Sequence, residues 1–229
     1  MFLRRANDRG YGDHGWLKSR HTFSFADYFD ADYMGFRKLR VINEDRVQGG
    51  TGFGAHPHRN MEIISYVLEG SIAHKDSMGN GAIMRPGEVQ RISAGTGVVH
   101  SEFNNSSSEE LHFLQIWIEP QKLDIAPGYE QKNFPEREKQ GRWRLVVSQE
   151  GRDGSVSVNQ DVNLYAGLFD AGEQAETPAV RYAWLQMARG EATVNGQRLS
   201  AGDAAAFEPG EPIEVVGIEA SEILLFDLA

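Results

Sequence analysis

Cysteine is absent from the 229 residues. That excludes a disulfide scaffold, a thiolate metal site and a cysteine nucleophile. Proline is sparse, and three of the 8, Pro120, Pro127 and Pro135, fall within one polar stretch. No apolar run approaches the ~20 residues that a membrane-spanning helix needs, so no membrane association is expected. The N-terminus, Met1-Phe2-Leu3-Arg4-Arg5-Ala6-Asn7-Asp8, turns polar too early to read as a signal peptide, and a cytoplasmic location is the expectation. Positive charge is also short: 23 Lys and Arg against 33 Asp and Glu leave a formal net charge of -10. Binding a polyanion requires a clustered basic face. Only Arg4-Arg5 and Arg37-Lys38-Leu39-Arg40 come near one, so direct nucleic-acid binding is not expected. A protein partner stays open. A phosphate-cradling glycine loop, a dinucleotide fingerprint and a Gly-x-Ser-x-Gly elbow are all missing.

Glycine, in contrast, is plentiful at 25 residues, and it separates short β-rich runs. Strands are expected at 38–43, 61–68, 81–84, 89–92, 111–118, 180–188, 192–194 and 223–227, with no long segment of helical period. Asn195-Gly196 between two such runs predicts a tight hairpin. The runs repeat. Val67-Leu68-Glu69-Gly70 resembles Met187-Ala188-Arg189-Gly190, and Arg85-Pro86-Gly87-Glu88 resembles Ser200-Ala201-Gly202-Asp203. Ser93-Ala94-Gly95 corresponds to Glu208-Pro209-Gly210, and Leu111-His112-Phe113-Leu114-Gln115 to Glu222-Ile223-Leu224-Leu225-Phe226. The fold class read from this is all-β, as two tandem β-barrel or jelly-roll units. The expected domains are 1–120 and 142–229, joined by the proline-bearing stretch 121–141.

The halves differ in chemistry. All seven histidines, His14, His21, His56, His58, His74, His100 and His112, precede the connection. His56-Pro57-His58 places two imidazoles at i and i+2, and His100-Ser101-Glu102 repeats the spacing with an imidazole and a carboxylate. Alternate strand residues share a face, so each pair can converge on one point. Three neutral nitrogens and one oxygen suit Fe, Mn, Co, Ni, Cu or Zn and disfavour Mg and Ca. Four protein ligands leave coordination positions open, as a catalytic metal requires. Glu62 shares parity with His56 and His58; since Glu102 completes the set, Glu62 is placed behind the ligands, orienting an imidazole. His74 and His112 are read as structural, and His14 and His21 as part of a segment covering the barrel. Phe53, Phe103 and Phe113 are candidate apolar walls. In the second half the counterparts are near Glu176 and Pro178 for His56 and His58, Val215 for His100 and Gly217 for Glu102. That half is therefore expected to be structural.

At these residues the chain resembles the cupin superfamily. Gly50, His56, His58 and Glu62 fit the first cupin motif, Gly-x5-His-x-His-x3-Glu, with the following Gly70 one residue late. Gly97, His100 and Asn104 fit the end of the second, although Gly95 stands where a proline is usual. More narrowly, the chain resembles the pirin-like bicupins, through His14-Gly15-Trp16, His21-Thr22-Phe23-Ser24-Phe25, Met34-Gly35-Phe36, Leu39-Arg40-Val41-Ile42-Asn43, Tyr66-Val67-Leu68-Glu69-Gly70 and His74-Lys75-Asp76-Ser77-Met78-Gly79. The resemblance covers nearly the whole length. It implies two cupin domains, with metal ligands at His56, His58, His100 and Glu102 and no site in the C-terminal cupin. It also implies a dioxygenase that cleaves quercetin or a related flavonol with O2 and releases carbon monoxide. One divalent ion is implied, iron foremost among iron, nickel, manganese, cobalt, copper and zinc, with Glu102 as general base. Eukaryotic pirins suggest a second reading, a metal- or redox-dependent regulator that acts through a protein partner without turnover. A small-ligand sensor or an isomerase-like cupin would need only the open metal.

Overall fold

The structure is a computed structural model that describes every residue, Met1–Ala229. It divides into two compact units. A histidine-bearing unit comprises Gly10–Asn133 and Val156–Gln160; a histidine-free unit comprises Met1–Arg9, Phe134–Ser155 and Asp161–Ala229. No helix is long and apolar enough to cross a membrane.

In chain order, β1 (Phe2–Arg4) belongs to the histidine-free unit. The histidine-bearing unit then holds β2 (Gly10–Asp13), β3 (Leu17–His21), β4 (Leu39–Val47), β5 (Gly52–His58), β6 (Glu62–Glu69) and β7 (Ile72–Asp76). It continues with β8 (Gly81–Met84), β9 (Glu88–Ser93), β10 (Val98–Asn104), β11 (Leu111–Ile118) and β12 (Gly128–Asn133). The helix α1 (Glu136–Lys139) and β13 (Trp143–Ser148) follow, then the short β14 (Val156–Ser157). The histidine-free unit is completed by β15 (Val162–Phe169), β16 (Tyr182–Arg189), β17 (Glu191–Val194), β18 (Gln197–Ser200), β19 (Ala204–Phe207), β20 (Val215–Gly217) and β21 (Ser221–Leu228).

The duplication is visible in the strand order. The larger sheet of the histidine-bearing unit runs β12-β9-β6-β11-β4-β3-β2, and that of the histidine-free unit runs β1-β19-β16-β21-β15-β13. The smaller sheets run β5-β10-β7-β8 and β18-β17-β20. Strand for strand, β9, β6, β11 and β4 correspond to β19, β16, β21 and β15. The strand equivalent to β5 is missing from the second small sheet. This pairing also corrects the sequence alignment by one residue. Gln115 faces Ser65 on β6, whereas Leu225, not Phe226, faces Leu185 on β16. One residue matters, because a slip of one moves a side chain to the other face of the sheet.

Asn195 and Gly196 turn the β17–β18 hairpin with φ of 49° and 73°, the double positive φ of a type I′ turn. The polar stretch 121–141, expected as a connection, contains β12, which pairs with β9 from Gly128↔Ser93 to Asn133↔Glu88, and then α1. Its prolines flank the strand instead of interrupting it, so the ladder keeps its donors.

Candidate metal centre

Strand β10 alternates strictly: Val98, His100, Glu102 and Asn104 are buried, while Val99 and Phe103 are exposed. It lies between β5 and β7, and its inward residues meet partners on both sides. Toward β5, His100 opposes His56 and Val98 opposes His58; a bulge between His100 and Glu102 then sets Glu102 against Phe53. Toward β7, His100 opposes Asp76 and Glu102 opposes His74. Directly opposed side chains stand close enough to act together. The ring centroids of His56, His58 and His100 lie 4.5–4.9 Å apart. Ligand atoms of these three lie within 4.8 Å of one another, as do those of His74, His100 and Glu102. The turn before β10 is tight. At Gly95, with φ of 46°, an added Cβ would sit 2.1 Å from the Ile125 carbonyl oxygen, which leaves room for glycine alone.

The nitrogens are in the state a metal needs. His56 Nδ1 donates to the Gly54 carbonyl at 2.8 Å, which leaves the Nε2 lone pair free. Both nitrogens of His100 are buried with no hydrogen-bond partner. Native structures rarely tolerate that cost without a reason. Burial, then the neighbouring His56, pushes His58 down to about 4. Burial, then His56, His58 and His74, pushes His100 down to about 3, with Asp76 acting in the opposite sense. Both rings are thus neutral at pH 7 and can donate lone pairs. Glu102 is buried, and burial raises its carboxyl above the ordinary value. Ser65 Oγ donates to Glu102 Oε1 at 3.2 Å and Gln115 Nε2 donates to Oε2 at 2.8 Å. His74 donates through Nε2 to Asp76 Oδ2 at 3.1 Å and leaves Nδ1 unpartnered. This donor set, with its orphaned buried nitrogens, fits a divalent transition-metal ion.

The cluster opens into a cavity of about 280 Å³. Phe25, Phe53, Trp117 and Leu17 form its apolar lining, and no Lys or Arg reaches it. His58 packs edge-on against Trp117, with centroids 5.0 Å apart. A larger hollow, about 740 Å³, lies in the histidine-free unit around 174–180 and 210–215; its titratable groups are Glu176, Glu211 and Glu214. Carboxylates alone, without an imidazole, make it a poor site for the same chemistry.

The expected groups therefore separate. His56, His58 and His100 come together, with Glu102 on the same strand as His100. Glu62 does not join them: its Oε2 accepts from Ser93 Oγ at 2.7 Å and from the Asn159 amide at 3.2 Å. The parity that grouped it with His58 fails because Asn60, with φ of 49°, breaks the strand between them. His74, read as structural, packs 5.5 Å from His100. His112 pairs with Glu44 at 3.0 Å, away from the cluster. His14 and His21 line the cavity instead of merely covering it. Phe53 is a wall, Phe113 packs behind it at 6.4 Å, and Phe103 is exposed. Ser65, Gln115, Asn43, Asp45 and Trp117 were not anticipated. The available sign was Ser19-x-His21 and Asn43-x-Asp45, two more polar pairs at i and i+2.

Two β-barrel units of one strand order, one carrying an imidazole–carboxylate cluster and the other none, define a bicupin. The family profile named Pirin matches residues 3–118, and that of the quercetinase C-terminal cupin domain matches 145–228. The chain belongs to the pirin family. It is 49% identical over 230 residues to the quercetin 2,3-dioxygenase of Escherichia coli (strain K12), covering 100% of this chain and 98% of that one. The crystal structure of the bacterial pirin YhhW from Escherichia coli in complex with nickel(II) superimposes with a TM-score of 0.92 at 48% identity, covering 99% of this chain and 98% of that one. A quercetin 2,3-dioxygenase from Acinetobacter baumannii shares the fold, with a TM-score of 0.76 at 19% identity, over 99% of this chain and 85% of that one.

Proposed function

We propose that the chain is a metal-dependent dioxygenase that cleaves quercetin or a related flavonol with O2, releasing carbon monoxide. The carrying observation is His100, buried with both nitrogens unpartnered, gathered with His56, His58 and buried Glu102 beside an aromatic-walled cavity. His56, His58, His100 and Glu102 would hold the ion, iron foremost, and nickel by analogy with the complexed relative. When bound, the ion supplies a Lewis-acidic, redox-competent centre at which the flavonol and O2 are activated. The chain's residues do the rest. Trp117, Phe53 and Phe25 flank a flat aromatic ligand and exclude water from it. Glu102, with its proton affinity raised by burial, takes the proton of the flavonol hydroxyl. Ser65 and Gln115 hold that carboxylate in place, so it need not reorganise during the reaction.

The test is purified chain loaded in turn with iron, nickel, copper or manganese and mixed with flavonols, first without and then with O2. Loss of flavonol absorbance with matching O2 uptake and carbon monoxide release is expected. Glu102→Ala should abolish all three. Flavonol binding without turnover under every metal would overturn the dioxygenase reading and favour a regulator.

A further inference from the structure

The inner face of the larger sheet in the histidine-bearing unit carries a row of polar side chains. Gln90, Ser65, Gln115, Asn43 and His21 oppose one another in sequence across β9, β6, β11, β4 and β3. The end at Ser65 and Gln115 holds Glu102. At the other end His21 Nδ1 donates to Asn43 Oδ1 at 2.9 Å. The adjoining row, Val67, Phe113, Asp45 and Ser19, brings in a second carboxyl beside its end.

Asp45 is the anomaly. It is 4% exposed, and its Oδ1 accepts a short hydrogen bond from Ser19 Oγ, itself buried. Neither Lys nor Arg lines the cavity that Asp45 faces. A carboxyl held only for architecture is normally paired with a cation or with several donors, because burial otherwise costs more than one hydroxyl returns. Burial accordingly pushes Asp45 up to about 7 against the Ser19 bond, and Glu102 and Glu44 push it in the same direction. Near neutral pH it can accept a proton or share one. The rung occupied by Ser19 and Asp45 is filled in the histidine-free unit by Trp143 and Gly167, where an added Cβ would sit 2.6 Å from the Phe169 ring. One unit thus closes this place with an aromatic side chain, and the other leaves a carboxyl facing open space.

We propose that Asp45, supported by Ser19 and flanked by His21 and Asn43, is a hydroxyl-recognising subsite. It takes a phenolic hydroxyl of the aromatic ligand other than the one beside Glu102, and so selects polyhydroxylated ligands over bare ones. The subsite rests on the aromatic-ligand reading above and adds to it a discrimination between ligands.

The test measures ligand affinity, with the metal-free chain and with nickel-loaded chain kept free of O2. Quercetin is compared with 3-hydroxyflavone, which lacks the further hydroxyls, and catechol is compared with benzene-type analogues without hydroxyls. Asp45→Leu is expected to weaken the polyhydroxylated ligands by about tenfold to a hundredfold while leaving 3-hydroxyflavone within about twofold. Asp45→Asn, which keeps an acceptor, falls between. Thermal melting and metal stoichiometry confirm that each variant is folded; Ser19→Ala, which leaves the carboxyl in place without its donor, provides the readout if Asp45→Leu does not fold, and should alter affinity for quercetin alone. Equal losses for both ligands, or none, overturn the subsite. A wild-type chain that cleaves no flavonol yet binds catechol through Asp45 loses the reaction and keeps the subsite. One that cleaves quercetin and 3-hydroxyflavone with unchanged preference in Asp45→Leu loses the subsite and keeps the reaction.

Discussion

The two units use one strand order to fill their interiors in opposite ways. Across β9, β6, β11 and β4 the histidine-bearing unit sets Gln90, Ser65, Gln115 and Asn43 in a row; across β19, β16, β21 and β15 the histidine-free unit sets Ala205, Leu185, Leu225 and Tyr165. Leu185 and Leu225 sit in one apolar cluster with Met187, Val194, Phe207 and Val215. Val215 opposes Val194 on β17 as Glu102 opposes His74 on β7, so it fills the place of Glu102, not of His100 as the repeat suggests, with a side chain that needs no partner. A barrel of this kind folds with an apolar interior, so the polar row is an expense that the site, not the fold, requires. That is the lesson of the comparison.

The largest effect expected is at His100. His100→Ala should drop metal uptake from one ion per chain to none and turnover below detection. Glu176→Ala, near the counterpart of His56, should change neither. Metal analysis after gel filtration decides this, and retained stoichiometry in His100→Ala would remove that residue from the ligand set. Exchanging one rung comes next. Leu225→Gln buries an amide without partners and should cost about 3 kcal/mol of stability. Gln115→Leu should shift stability by no more than about 1 kcal/mol, yet lower metal affinity or turnover about 10–100-fold. Denaturant titration and metal competition read the two, and equal stability losses would erase the contrast between the units.

Gly217 opposes Ala192 on β17 as Asn104 opposes Ile72 on β7, so it is the counterpart of Asn104 and not, as the repeat suggests, of Glu102. It admits no side chain, because an added Cβ would meet the Asp170 carbonyl oxygen at 2.3 Å. Gly217→Ala should therefore cost about 1–3 kcal/mol, measured as a fall in the denaturation midpoint. An unchanged midpoint would mean that the histidine-free unit tolerates a side chain there after all.

The smallest effect is in pH. His58 and His100 fall to about 4 and about 3, below the ~6.5 of an unfolded histidine. The unfolded chain therefore binds protons first, and these rings remove stability as pH drops below ~6.5. Asp45, raised to about 7 from an unfolded value near ~3.9, acts oppositely: the folded chain binds its proton first and gains stability as pH falls from 7. Asp45→Leu removes that compensation. The metal-free variant should lose stability more steeply between pH 6.5 and 4.5 than the wild type, and parallel curves would refute the assignment.

Much of the site was legible because strand geometry is periodic. His56-x-His58 and His100-x-Glu102 announce shared faces, and β10 obeys the alternation residue by residue. The failures came where periodicity was carried across a break. Glu62 lost its parity at Asn60, and Gln115 was matched one residue away from its true counterpart. His74 reads as structural because it joins the cluster only through a rung opposite Glu102, a long-range pairing that no local spacing encodes. Asp45 is legible only as half of the pair Asn43-x-Asp45, and such a spacing says nothing of its role until the cavity is known. The fold class and the duplication followed from glycine turns and repeats. The strand at Gly128–Asn133 did not, because Tyr129, Gln131 and Asn133 are polar enough to read as loop.

Strand β5 pairs with β10 alone and so forms a free margin of its sheet, with Pro57 contributing no amide hydrogen there. His56 and His58 therefore ride on a flap, while His100 and Glu102 sit on a strand anchored from both sides. A margin can be peeled back without tearing the sheet in two. The histidine-free unit has no strand in that position, and its smaller sheet remains intact without one. Two of the four proposed ligands thus lie on an edge strand, and could be lost in a lineage, or restored by design, without redrawing the rest.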